Sequence, residues 1–161
     1  MYVLPLMTFL FLTVLLFFFF QRKSFSFVEN SILFILFTIL ITNVTTILTL
    51  NLDLIRRTDN PFLFPAYLLY RNGILPLLLL IFINMVHSGF SLTVKIVNAV
   101  LIFIGLNGLA VLLVSTRMMT FIDWNYAETA ALNAVYLLAG LGFGKLAFLI
   151  SQRSPKHDHH L

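Results

Sequence analysis

Residues 31–51 read SILFILFTILITNVTTILTLN and include no charged side chain. A helix of about 20 mostly apolar residues is long enough to cross the roughly 30 Å hydrocarbon layer of a bilayer. Four further apolar stretches lie on either side, near residues 3–20, 74–90, 95–115 and 127–150. The sequence therefore predicts an all-α integral membrane protein. We expect one transmembrane domain over residues 1–161, built as a bundle of five transmembrane helices.

The composition of the whole chain agrees with this class. Of its 161 residues, 60% are hydrophobic and 10% are charged, and the mean hydropathy is +1.01. A soluble domain averages roughly a quarter charged residues. The net charge of +4 is too small for a surface that neutralises a row of phosphates, so we expect no nucleic-acid partner. The chain has no cysteine, which excludes disulfides and thiolate metal sites.

The distribution of cations predicts an orientation. No basic side chain precedes the first apolar stretch, whereas Arg22 and Lys23 follow it. A secretory signal has the reverse order, so we expect an uncleaved anchor. The positive-inside rule then places the N-terminus outside and the tail, residues 151–161, in the cytoplasm. The short loops are typical of a multi-pass protein of a prokaryotic plasma membrane. The cations expected inside are Arg22, Lys23, Lys95, Lys145, Arg153 and Lys156.

The connection between the second and third spans is interrupted by Pro61, Pro65, Gly73 and Pro76. Turn residues before residue 62 and Gly73 after residue 72 favour a short helix over 62–72 that lies in the membrane interface before the third span. The alternative is one long kinked span over 62–88, which buries Arg71 about 15 Å deep. Because a charge at that depth needs a partner or water, the sequence favours the interfacial helix.

One face of the second span is polar. At 100° per residue, its threonines and two charged residues fall within a sector of about 80°. Either the hydroxyl groups bond to their own helix and allow close packing, or they line a hydrated seam that contacts a transported solute. The residues of this candidate polar seam are Thr38, Thr42, Thr45, Thr49, Asp53 and Arg56.

The last span carries a candidate helix-packing face with a GxxxG spacing. Glycines four residues apart remove side-chain bulk, so another backbone can approach closely. The partner is expected within the chain, and homodimerisation or docking on another subunit is the alternative. The residues of this face are Asn133, Tyr136, Gly140, Gly144 and Ala147. Elsewhere, Asn84 and Asn98 are expected to form interhelical hydrogen bonds, and His87 to be structural.

Groups that would support catalysis are missing from the span centres. No Asp or Glu lies in the middle of a span, and no nucleophile, metal or phosphate-loop motif is present. We therefore expect no enzyme, no cofactor and no bound metal, including at the histidines of the tail (Lys156 to His160). Arg57 and Arg71 are candidate outer-rim contacts for an anion or a lipid headgroup.

The expected function follows from the threonine face of the second span and the GxxxG face of the last span. Both are suited to contacts between helices, and the span centres lack catalytic groups. We expect a non-enzymatic small subunit or accessory factor that binds other membrane components by helix–helix contacts. Its expected partners are the lipid bilayer and another membrane protein or further copies of the chain. The alternative is a small transporter or channel that uses the threonine face of the second span.

Overall fold

Helices make up most of the computed structural model, which describes residues 2–153. The prediction of five helices long and apolar enough to cross a membrane is confirmed. The histidine-containing end of the tail, from residue 154 onward, lies outside the described residues. The five helices are α1 (Val3–Phe20), α2 (Phe27–Asn51), α3 (Phe64–Val86), α4 (Leu92–Ser115) and α5 (Tyr126–Arg153).

The third helix is the centre of the bundle. In its most apolar window 67% of the residues are buried, compared with 11–28% in the other four helices. Each of the other four helices contacts α3, and almost every side chain from Leu75 to Asn84 is buried. An apolar helix surrounded in this way exposes little of its surface. The core of the protein is therefore α3 and the inner faces of the four helices around it.

The predicted interfacial helix over 62–72 is wrong as a separate element, because the chain is helical without interruption from Phe64 to Val86. Residues Tyr70–Ile74 form a π-helical turn immediately before Pro76. Proline lacks an N–H and its ring clashes with the carbonyl four residues earlier, and the wider turn accommodates both defects.

The role of Gly73 also differs from the expected helix stop. A Cβ atom at Gly73 would lie 2.9 Å from Cε2 of Phe11, so the glycine allows α1 to cross α3 closely. Its φ angle is not positive, and the helix continues through it. A glycine is therefore required at position 73, but the requirement comes from the close crossing of α1 and α3 and not from a turn.

A short sheet corrects the all-α prediction. Strand β1 (Ile55–Arg57) pairs antiparallel with β2 (Met119–Phe121), with Arg56 opposite Thr120. The pairing is extended by Thr58 N–H to Met118 O (3.0 Å) and Ile122 N–H to Leu54 O (3.0 Å). Backbone N–H and C=O groups that are shielded from water need hydrogen-bond partners, and these two loops at the same end of the bundle satisfy each other. We call this end the ribbon end.

Left-handed residues lead into both strands. Asp53 has φ 47° and Arg117 has φ 58°. After α4, Met118 N–H bonds to Leu113 O (3.0 Å) and Arg117 N–H to Val114 O (3.1 Å), which is a Schellman ending. This ending turns the chain sharply enough for β2 to reach β1.

At the opposite end, Asn84 of α3 joins the first two helices to the core. Its Oδ1 accepts the backbone N–H groups of Ser24 (3.0 Å) and Phe25 (3.4 Å), and its backbone carbonyl accepts the Ser24 hydroxyl (2.7 Å). Its Nδ2 donates to Asn30 Oδ1 (2.7 Å) and Leu80 O (2.9 Å). Asn84 is 0% exposed. We call Ser24, Phe25, Asn30 and Asn84 the asparagine lock.

Replacing Asn84 with alanine should lower the unfolding temperature in detergent micelles markedly. The change leaves two backbone N–H groups and the Asn30 oxygen without their partner, and an unsatisfied buried polar group costs about 1–3 kcal/mol. The matched control is Asn43→Ala, which removes one exposed bond to the carbonyl of Ile39 in its own helix. Equal unfolding temperatures for the two variants would contradict the lock.

Candidate functional site

The threonine face of α2 does not form one continuous polar seam. Thr38 donates to Phe34 O (2.8 Å) and Thr49 donates to Thr45 O (2.8 Å), so both hydroxyl groups are used within the helix. Thr42 instead reaches α3, where its hydroxyl donates to Asn72 Oδ1 (3.4 Å). Of these three hydroxyl groups, that of Thr42 is the one that hydrogen-bonds to another helix.

The two charged members of the predicted seam leave the helical face altogether. The regular α-helix ends at Thr46, and a π-helical turn, Ile47–Asn51, follows it. Asp53 then has a left-handed backbone and Arg56 lies in β1. Their ion pair is long, 3.8 Å, and the side chains are 66% and 68% exposed. The prediction that one helical stripe continues to Arg56 is wrong, because the helix ends before it.

A small cavity of about 50 Å³ lies beneath the β-ribbon, lined by both strands and by residues of α2, α3, α4 and α5. Its volume admits a few water molecules, since one water needs about 10–15 Å³ measured in this way. Tyr136 of α5 and Thr45 of α2 both line it. The polar groups that line it belong to Thr45, Tyr67, Tyr70, Trp124, Thr129, Asn133 and Tyr136.

The packing face of α5 is turned towards the core of the same chain. A Cβ atom at Gly140 would lie 3.4 Å from Cγ2 of Ile83 in α3. A Cβ atom at Gly144 would lie 2.8 Å from Cε1 of His87, whose Nδ1 is 2.9 Å from Ile83 O. The GxxxG glycines therefore make room for α3 and for the residue that follows it.

The other three members of this face are spread along α5. Asn133 donates to Asn107 Oδ1 of α4 (3.3 Å), and Tyr136 lines the cavity beneath the β-ribbon. Ala147 lies on an apolar groove between α2 and α5. The face is thus an internal packing surface with a polar section at its ribbon end.

The two candidate rim arginines lie beside aromatic rings. The guanidinium carbon of Arg57 is 5.4 Å from the ring centre of Phe64, and that of Arg71 is 5.8 Å from the ring centre of Tyr67. Arg71 Nε also donates to Asn72 Oδ1 (3.0 Å). Within residues 2–153, neither arginine has a carboxylate within 4.0 Å.

Sequence reasoning missed the asparagine lock as a unit. Asn84 was expected to bond between helices, and it does so with Asn30, which lies in the first turn of α2. The sequence signal was an asparagine within an apolar stretch. Its partner lies in the first turn of another helix, and no periodic pattern links two residues that far apart in the chain. Asn98 differs from expectation: in the described part of the chain its buried Nδ2 finds no hydrogen-bond partner.

Metal-binding groups do not gather in the described part of the chain. Among residues 2–153, no three His, Cys, Asp or Glu side chains lie close enough to hold an ion. Comparisons of the chain with protein-family models, with curated proteins and with solved structures find no match.

The internal role of the glycine face predicts a large difference between two neighbouring positions. Gly144→Leu should destabilise the protein by about 1–3 kcal/mol, because the new side chain displaces His87 from its contact. Gly142→Leu is the matched control, since a Cβ atom there meets nothing within 4 Å. Thermal unfolding in detergent measures both. A Gly144→Leu protein as stable as Gly142→Leu would show that α5 does not pack this way.

Proposed function

We propose that this protein is a non-enzymatic small subunit that binds a transmembrane helix of another membrane protein. The observation that carries the proposal is a pair of glycines, Gly105 and Gly108, on the outward surface of α4. A Cβ atom at either position would meet nothing within 4 Å, so neither glycine serves packing inside the chain.

The cost of these glycines supports an external partner. A glycine inside a helix is less stable than alanine by roughly 0.5–1 kcal/mol. A surface that meets only lipid gains nothing from the loss of a side chain, whereas helices that pack in membranes are enriched in small residues at their contact. The neighbours Leu101, Ile104 and Val111 are exposed by 61%, 60% and 50%, and they form apolar walls around the gap.

The placement of carboxylates supports a role without catalysis. Asp53, Asp59 and Asp123 lie in the connections at the ribbon end, and Glu29 and Glu128 lie in the first turns of α2 and α5. Carboxylates at helix starts cap the chain: Glu29 accepts Ser26 N–H (2.7 Å) and Glu128 accepts Asn125 N–H (2.8 Å). Such contacts fix helix ends and leave the bundle centre without an acid–base pair.

The test compares the unaltered protein with the double variant Gly105→Leu/Gly108→Leu. Each is purified in mild detergent, and the mass of the native particle is measured. The unaltered protein should form a particle heavier than its own 18.4 kDa, with a second protein in fixed ratio. The double variant should lose that protein, because two leucine side chains fill the gap. Gly142→Leu should retain it, because Gly142 has no second glycine three or four residues away and therefore forms no gap of the same size on α5.

Two results would reject this function. A lone monomer in mild detergent would leave the glycine pair without a partner helix. A particle built only of copies of this chain would mean a homo-oligomer in place of an accessory subunit. Unfolding temperatures of both variants near that of the original protein show that a loss of binding is not a loss of fold.

We also propose that the helices cross a prokaryotic plasma membrane with the ribbon end outside. This orientation places Asp59 outside and Gly89 in the cytoplasm. Both are exposed, and the chain has no cysteine of its own, so each can carry a single reactive thiol. A membrane-impermeant thiol reagent added to intact cells should label Asp59→Cys and not Gly89→Cys. The reverse pattern would invert the orientation.

A further inference from the structure

We propose that Arg57, Arg71 and Tyr67 form a binding site for a phosphate-type anion at the ribbon end. This site is independent of the glycine pair on α4. The three residues come from two elements, since Arg57 ends β1 and the other two lie one turn apart on α3.

The position of Arg71 along α3 makes its charge expensive without an anion. It follows Phe64 by two helical turns, about 10 Å along the helix axis. Its neighbours there are neutral: the Tyr67 ring, the Asn72 side chain and the helices α1 and α2, which contact the π-helical turn. A charge at such depth in a membrane protein ordinarily has a counter-charge or water.

The two guanidinium groups lie beside neighbouring positions of the same helix. That of Arg57 is 5.4 Å from the Phe64 ring centre and that of Arg71 is 5.8 Å from the Tyr67 ring centre, and these two rings are three residues apart on α3. Tyr67 is 2% exposed, so its ring is held in the core. Two cations beside the same stretch of α3, with no carboxylate of the described residues within 4.0 Å of either, create a local positive potential.

The arrangement of Arg71 is preorganised. Asn72 Oδ1 accepts Arg71 Nε (3.0 Å) and also the hydroxyl of Thr42 (3.4 Å), so α2 and α3 together hold the guanidinium group. The remaining N–H groups of a guanidinium are a planar fork that matches two oxygens of a phosphate. This also gives Thr42 a positioning role that a solute seam does not require.

The chemistry of the ligand is a phosphate oxygen pair with negative charge. Two sources present it at a membrane surface: the phosphodiester of an anionic phospholipid and inorganic phosphate. The phospholipid is favoured here, because its acyl chains need an apolar protein surface beside the site. Phe62, two residues before α3, offers such a surface and is 79% exposed.

The experiment measures unfolding temperature in an uncharged detergent with phosphatidylglycerol, phosphatidylcholine or inorganic phosphate as the added probe. Phosphatidylglycerol should raise the temperature of the original protein by at least about 3 °C, as expected for a ligand that binds only the folded state. Arg57→Gln/Arg71→Gln should lose at least half of that shift. Arg56→Gln is the matched control, because Arg56 adjoins Arg57 in β1 but is exposed and paired with Asp53.

Each remaining outcome decides the question. An equal shift with inorganic phosphate, lost in the double variant, keeps the anion site and makes its ligand a soluble ion. Equal phosphatidylglycerol shifts in the original protein and the double variant would overturn the site. So would an equal shift with phosphatidylcholine, which carries no net charge. If the double variant does not fold, the single variants Arg57→Gln and Arg71→Gln provide the same comparison.

Discussion

The fold depends on one buried amide. Asn84 lies near the end of the central helix, where it receives two backbone N–H groups from the turn between α1 and α2 and donates to Asn30. In an apolar bundle the hydrophobic effect does not distinguish a neighbouring helix from lipid, so packing and hydrogen bonds must fix which helices meet. The asparagine lock supplies that information at one end of α3. The β-ribbon supplies it at the other, because it ties the connection before α3 to the one before α5.

The five helices were predictable from sequence because length and hydropathy determine them locally. The identity of the central helix was not. In a soluble protein an apolar stripe reveals the buried face, but all five stretches here are mostly apolar, so hydropathy does not single out the buried helix. Gly73 and Pro76 in α3 were read as interruptions, since both residues break helices in water. The structure uses Gly73 for the crossing of α1 and absorbs Pro76 with a π-helical turn.

The polar patterns were partly predictable for a related reason. Periodicity identifies residues that share a helical face, such as Gly140 and Gly144, which both lie against the Ile83 side chain of α3. Periodicity does not say where a helix stops, and the stripe of α2 was therefore extended to Asp53 and Arg56, which belong to the ribbon connection. Contacts between sequence-distant loops, such as the pairing of β1 with β2, have no period at all.

These assignments separate residues that build the fold from those that remain for function. The threonine and GxxxG patterns are largely used within the chain, whereas Gly105 and Gly108 are open and Arg57 and Arg71 lack a carboxylate partner in the described residues. The two features lie on different parts of the bundle, because the π-helical turn that carries Arg71 contacts α1 and α2, while α4 packs on α3 and α5. An anion at Arg57 and Arg71 and a helix at Gly105 and Gly108 would therefore contact different elements of the bundle, since the arginines lie on β1 and α3 and the glycines on α4.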